Sequence, residues 1–238
     1  MSPKTAMVLG AGLGTRMLPL SETTPKPLVP LSGVALIDRV LDRLAEAGVE
    51  KAVVNVHHLA DRMEAHLAAR KRPAVVISDE RALLLDTGGG VKKALPLLGG
   101  EAFFVHNSDS VWIEAGAPAL AAMAAAWEPE RMDWLLLVAP ASQAIGYGGR
   151  GDFHLEADGC LRRRGGGETA PFVFAGVSIT TAQTFAGAPE GAFSLNLLWD
   201  RALETGRLYG LALEGQWMHV GTPNALTEAE RVLNGGGA

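Results

Sequence analysis

The chain has 238 residues, 48% of them apolar, a formal net charge of −5 and one cysteine, Cys160. That length suits one large α/β domain, or two small ones, with a sizeable core. The acidic balance argues against a general nucleic-acid binder, the lone cysteine excludes an internal disulfide and a cysteine-built zinc site, and no apolar run approaches the ~20 residues that span a bilayer.

Ala6–Leu9 reads as a first strand. Met1 lies so close to it that no room is left for a signal peptide, and with one cysteine a cytoplasmic protein is expected. The strand runs into Gly10-Ala-Gly-Leu-Gly-Thr-Arg16, and ten residues past that arginine Lys26 stands between Pro25 and Pro27. Glycines let backbone N–H groups approach phosphate oxygens, and Arg16 and Lys26 add fixed positive charge. The prolines fix the backbone around Lys26, so less entropy is lost when its ammonium engages a phosphate. This pattern points to a nucleoside triphosphate. A P-loop requires Gly-Lys-Ser/Thr where this chain has Gly14-Thr15-Arg16. The dinucleotide fingerprint requires glycine in place of Thr15 and an acidic residue near the end of the second strand, which here closes on Asn55-Val56-His57.

Leu36–Ala47 predicts a helix with Leu36, Ile37, Val40, Leu41 and Leu44 on one face and Gly48 as its stop. Lys51–Val56 is a second strand, almost wholly apolar, as a strand buried on both faces should be. Leu59–Arg70 follows as a helix, Ala74–Ser78 as a strand, Gly90–Leu97 as a helix and Ala102–His106 as a strand ending at Asn107-Ser-Asp109. Pro118–Trp127 is an alanine-rich helix and Trp134–Val138 a further strand. Such alternation predicts a parallel sheet with right-handed crossovers and a ligand outside the carboxyl ends of its strands. Beyond Ala139, glycine-rich stretches separate Asp152–Glu156, Phe172–Ile179 and Leu208–Leu213, read as mixed or antiparallel strands of a lid. Ser194–Thr205 and Asn224–Leu233 read as helices, and Gly235-Gly-Gly237 as a frayed tail.

Asp109 is the candidate metal ligand, because a carboxylate at the end of a buried strand needs compensation and a hard cation shared with phosphate supplies it. The competing reading makes it a helix N-cap. Glu80 and Asp86-Thr-Gly-Gly-Gly90 follow the third strand, where glycines suggest close approach of a base and ribose. His57 and His58 lack partners at metal-ligand spacing, and Arg162-Arg-Arg164 reads as a solvated loop face that could attract an anionic substrate. Trp127 and Trp134 read as core residues, while Trp217 and His219 share one face of a short strand.

The combination Gly10-Ala-Gly-x-Gly-Thr-Arg-Met, Pro25-Lys-Pro, Asn107-Ser-Asp109 and Trp217-x-His-Val-Gly-Thr-Pro223 resembles the sugar-1-phosphate nucleotidylyltransferases over nearly the whole chain. Asp86–Gly99, Gly149–Phe153, Phe174–Ser178 and Phe193–Leu198 are similar to the branch that uridylylates N-acetylmuramate 1-phosphate. The resemblance implies an α/β, Rossmann-like three-layer α/β/α fold with a mixed, mainly parallel central sheet and a small β lid. It implies one catalytic domain over 1–238, with a nucleotide-binding half to about 140 and a sugar-binding half to about 222. The implied partners are a nucleoside triphosphate and a sugar 1-phosphate, with no nucleic acid and no membrane, in a monomer or small homo-oligomer. By the same likeness Arg16 holds the β- and γ-phosphates, Lys26 reaches the reacting phosphate and Asp109 binds Mg²⁺. Leu9, Gly10, Ala11, Gly12, Gly14, Thr15, Glu80, Asp86, Thr87 and Asn107 hold the nucleotide, and Gly149, Ala175, Gly176 and Asn196 touch the sugar. The chain departs from the family pattern at Ser108, usually glycine, and at His219, usually an oxygen ligand. Imidazole there leaves Mg²⁺, Mn²⁺ and Co²⁺ open. Guanylyl transfer to mannose 1-phosphate and a catalytically silent nucleotide-binding paralogue are the alternative functions.

Overall fold

A computed structural model of the chain describes residues 2–235; of the expected glycine tail, Gly236 and Gly237 fall outside them. In chain order the strands and helices are β1 (Thr5–Leu9), β2 (Pro30–Leu31), β3 (Val34–Ala35), α1 (Leu36–Glu46), β4 (Lys51–Val56), α2 (Ala60–Leu67), β5 (Ala74–Asp79) and α3 (Asp86–Leu98). They continue with β6 (Phe103–Asn107), β7 (Ser110–Glu114), α4 (Ala119–Ala126), β8 (Trp134–Pro140), β9 (Phe153–Leu155), β10 (Leu161–Arg163) and β11 (Phe172–Thr180). The last are α5 (Asn196–Glu204), β12 (Leu208–Ala212), β13 (Gly215–His219) and α6 (Pro223–Leu233).

The central sheet is mixed and mainly parallel, as expected. β1 lies between β4 and β6, parallel to both, and β4 pairs in parallel with β5. β11 runs antiparallel between β6 and β8, and β12 is parallel to β8. Helices cover both faces. On one, Ile37, Val40, Leu41 and Leu44 of α1, Met63 of α2 and Met123 of α4 pack on Val8, Val54 and Phe104. On the other, Val91 and Ala94 of α3 and Leu198 and Trp199 of α5 pack on Met7, Val53 and Val105. The fully apolar strands and the one-sided stripe of α1 each follow from this three-layer burial. Gly48 ends α1 at φ +84°, a left-handed conformation that glycine takes without strain.

The chain builds outward from β1 to β4 and β5, then returns through α3 to β6 on the other side of β1. That reversal places the carboxyl ends of β1 and β6 side by side, with Leu9 opposite Asn107. A crevice opens where two neighbouring connections leave in opposite directions. The sheet order alone therefore brings Gly10–Arg16 next to Ser108–Asp109.

Two expectations are corrected, and one competing reading falls. Phe172–Ile179 is no lid strand: it lies in the interior of the sheet as β11, and Leu208–Ala212 joins the same sheet beside β8. Val173, Ala175, Val177 and Ile179 are buried, which an exposed lid would not allow. Of the expected lid strands, β9 lies towards the edge of the sheet, where it pairs antiparallel with β10. Second, the segment after Asp109 is a strand, β7, paired antiparallel with β13, so Asp109 caps no helix. Third, α3 begins at Asp86, and its three glycines lie inside it. A Cβ on Gly88 would stand 2.4 Å from Phe193 Cε2, one on Gly89 2.2 Å from the Gly191 carbonyl oxygen, and one on Gly90 2.8 Å from Asn55 Nδ2 and Glu80 Oε1. These glycines admit neighbouring protein rather than a ligand.

Candidate active site

All ten residues expected to hold the nucleotide, together with Arg16, Lys26 and Asp109, line one cleft of about 660 Å³ at the β1–β6 crevice. Gly14 turns at φ +66° with Ser21 and Lys26 against it, and Ser21 Oγ donates to its carbonyl oxygen at 2.8 Å. This folds the chain so that Lys26 returns beneath the glycine loop. Gly12 has open space where a Cβ would stand, and the N–H groups from Ala11 to Gly14 meet no acceptor among the described residues. Arg16 is exposed beside them and likewise forms no ion pair among the described residues. A row of free N–H donors ending in a guanidinium is suited to the oxygens of a polyphosphate.

Lys26 Nζ donates to Asp109 Oδ2, and both side chains are largely buried, 13% and 17% exposed. Burial pushes the Asp109 carboxyl up, but the Lys26 ammonium and then His219 outweigh it, and the group titrates below the usual carboxylate range. Pro25 and Pro27 hold Lys26 in a single 3₁₀ turn. His219 ends β13 opposite Ser110, so the β7–β13 ribbon carries it to the side of Asp109. Its ring stacks on Trp217 with centroids 5.7 Å apart, as the shared face predicts. Burial lowers its pKa and outweighs the pull of Asp109. Ser108 is buried and donates its N–H to the Leu9 carbonyl oxygen at 3.4 Å, so it is accommodated where glycine is usual.

Glu80 lines the cleft but is fully buried, with both carboxylate oxygens engaged by protein. Oε1 accepts from Asn55 Nδ2 at 2.8 Å and Oε2 from the Leu85 N–H at 3.1 Å. Asn55 Oδ1 in turn accepts from the Gly10 N–H at 2.7 Å. Asn55 thus ties the glycine loop to the Glu80–Thr87 loop. The sequence reading missed it, although a lone amide inside an otherwise apolar strand was its signal. His57 Nδ1 donates to the Glu80 carbonyl oxygen at 2.7 Å, so this histidine packs against the Glu80 loop. Thr87 lines the cleft while its Oγ1 accepts from the Leu195 N–H at 3.0 Å.

Of the expected sugar contacts, Asn196 lines a second cavity of about 450 Å³ that shares Asp86, Thr87 and Asn107 with the cleft. The structure does not bring the others there. Ala175 and Gly176 form a buried irregularity in β11, where Ser110 Oγ donates to the Ala175 carbonyl oxygen and a Cβ on Gly176 would strike Ser110. Gly149 is exposed and packs against the Tyr147 ring. Phe174, Trp199, Asp200 and Arg163 line the cavity instead, the last from the triplet read as able to attract an anionic substrate.

Residues 6–212 match the MobA-like NTP transferase domain family. The chain is 53% identical over 236 residues to an N-acetylmuramate alpha-1-phosphate uridylyltransferase of Caulobacter vibrioides, covering 98% of each chain. It is 36% identical to the protein of the same name from Neisseria meningitidis, covering 94% of this chain and 96% of that one. Among solved structures, HddC from Yersinia pseudotuberculosis complexed with GMP-PN superposes with a TM-score of 0.77 at 20% identity, covering 97% of this chain and 99% of that one. UDP-glucose pyrophosphorylase complexed with UDP-glucose gives 0.78 at 18%, with 98% and 99% covered, and these two likenesses speak to fold. No helix among the described residues is long and apolar enough to cross a membrane. With its cleft at the β1–β6 switch point and this likeness along its whole length, the chain belongs to the MobA-like NTP transferase family, among the sugar-1-phosphate nucleotidylyltransferases.

Proposed function

We propose that the protein transfers the uridylyl group of UTP to N-acetylmuramate α-1-phosphate, giving UDP-N-acetylmuramate and pyrophosphate, in cell-wall recycling. What carries the reading is the convergence of Arg16, Lys26 and Asp109 on one cleft in a chain 53% identical to an enzyme of that name. A sugar 1-phosphate oxygen forms a bond to the α-phosphorus, the α–β bridging bond breaks, and pyrophosphate leaves with the electron pair. The attacking phosphate is ionised at neutral pH, so no general base is needed. Catalysis is then positioning and charge neutralisation. The free N–H groups of Ala11–Gly14 and the Arg16 guanidinium hold the β- and γ-phosphates. Lys26 moves between Asp109 and the reacting phosphate, and Asn107 and Thr87 stand where the cleft meets the sugar cavity.

The protein groups fit a divalent cation in one mode. No cluster of three or more metal-ligating side chains occurs among the described residues, and Asp109 with His219 offers carboxylate oxygen and one imidazole nitrogen. Mg²⁺ is commonly held this sparsely when phosphates and water complete its shell, and imidazole also suits Mn²⁺ or Co²⁺. When bound, such an ion neutralises charge developing on the phosphates. The test is pyrophosphate release from UTP with N-acetylmuramate 1-phosphate, run with Mg²⁺ and with Mn²⁺, beside GTP with mannose 1-phosphate. Release with the first pair alone is the expected result; release with GTP alone moves the protein to the mannose branch, and silence throughout makes it a nucleotide-binding paralogue.

A further inference from the structure

The cavity beside the nucleotide cleft contains one cation among its described lining residues, Arg163. The other two arginines of the triplet are turned elsewhere. Arg162 is exposed and pairs with Glu156, and Arg164 donates to the carbonyl oxygens of Gly151, Gly165 and Glu168. Arg163 is braced. Its strand position opposite Phe153 sets its guanidinium 5.2 Å from that ring. Its Nε donates to Asp200 Oδ1 at 2.6 Å and its Nη2 to Asn196 Oδ1 at 3.0 Å. Nη1 and the second Nη2 hydrogen meet no acceptor among the described residues. Three carboxylates share the lining, each with a protein donor: Asp200 accepts from Arg163, Asp152 from the Phe174 N–H at 3.0 Å, and Asp86 from the Thr87 N–H at 2.6 Å.

A neutral sugar offers hydroxyl groups, which amides and carboxylates hold well. A guanidinium fixed on one side and open on the other is suited to a planar anion that takes two parallel N–H bonds. We propose that Arg163 reads a carboxylate on the sugar of the acceptor, so that the enzyme selects sugar 1-phosphates bearing an acidic substituent over neutral ones. This rests on the uridylyl-transfer reading above: N-acetylmuramate is N-acetylglucosamine with a lactyl ether, whose carboxylate is the difference between the two sugars. The 1-phosphate is the other anion available, and both sugars carry it.

The test compares UDP-N-acetylmuramate with UDP-N-acetylglucosamine, whose binding to wild type, Arg163→Gln and Arg163→Lys is measured by calorimetry alongside turnover of the two sugar 1-phosphates. Arg163→Gln is expected to weaken the acidic ligand about 10- to 100-fold, the scale of a charge-assisted pair, and the neutral one by less than about twofold. Arg163→Lys is expected to keep part of the discrimination, as a point charge without the fork. Equal losses on both ligands would mean that Arg163 holds the phosphate or only the loop, and no loss on either would remove it from the site; each overturns the proposal. Absent turnover with discrimination in binding intact would overturn the uridylyl-transfer reading and leave Arg163 its role.

Discussion

Lys26 donates to Asp109 across 83 residues of sequence, joining the proline-braced loop to the end of β6. In the proposed reaction this pair places a cation where the phosphates would bind. Asp109→Asn and Lys26→Met are each expected to lower turnover by at least about 100-fold, the scale of losing one preorganised electrostatic contact. Each change also strands its largely buried partner as an unpaired charge, so both variants are expected to melt at a lower temperature than wild type. Because the Asp109 pKa is lowered in the folded state, its stabilising contribution is complete above the unfolded carboxyl value near 4 and is lost as pH falls through the lower folded value. Pyrophosphate release and thermal melts from pH 7 to 3 check both statements.

Asn55 and Glu80 form a bridge that admits an exchange of chemistry. Asn55→Asp sets two carboxylates together, and Glu80→Gln alone sets two amides together. Each single change is expected to cost about 1–3 kcal/mol and to raise the KM for UTP, since two like groups then face each other and the bridge that positions the residue beneath Gly10 is broken. The double variant restores every donor–acceptor pair: the amide nitrogen introduced at position 80 donates to the carboxylate introduced at position 55, and the amide oxygen accepts from the Leu85 N–H. Recovery of KM in the double variant confirms the bridge; additive losses refute it.

His106 is fully buried, stacked on Trp112 with centroids 5.5 Å apart, and its Nδ1 donates to the Asn107 carbonyl oxygen at 2.7 Å while Nε2 has no partner among the described residues. Burial pushes its pKa down to about 4. The unfolded chain therefore takes up a proton between about pH 6.5 and 4 that the folded chain does not, and stability falls on acidification through that window, by up to about 3 kcal/mol. Denaturant melts across it are expected to show this slope, and His106→Phe, which keeps the stack, is expected to flatten it.

On the proposed metal role, His219→Asp would exchange a nitrogen ligand for an oxygen one beside Asp109. Turnover with Mg²⁺ relative to Mn²⁺ is expected to rise in this variant. An unchanged ratio would show that His219 does not touch the metal.

Two glycines separate packing from ligand approach. Gly89→Ala drives a methyl to 2.2 Å from the Gly191 carbonyl oxygen, a backbone atom, and is expected to cost about 1–3 kcal/mol or more in a chemical melt. Gly12→Ala meets open space in the protein and is expected to leave stability unchanged while raising the KM for UTP. Loss of stability in Gly12→Ala would instead make that glycine a folding residue.

The β1–loop–α pattern, the amphipathic face of α1, the buried runs of β4 and β8, and the placement of Arg16, Lys26 and Asp109 were legible because each is local. Periodicity, glycine turns and strand ends are properties of neighbouring residues. The sequence could not show that Phe172–Thr180 is an interior strand, because an apolar run is equally a lid edge or a sheet centre until its neighbours are known. Nor could it show that Gly88–Gly90 face Phe193, Gly191, Asn55 and Glu80, since a glycine marks a close approach without naming what approaches. Asn55, Arg163 and His219 acquired their places only through strand order and register: Asn55 beneath Gly10, Arg163 beside Asn196, His219 beside Asp109. Local sequence decided which groups could carry the chemistry; long-range pairing decided which of them meet, because a contact between residues far apart in the chain is fixed by the whole sheet and by no segment of it.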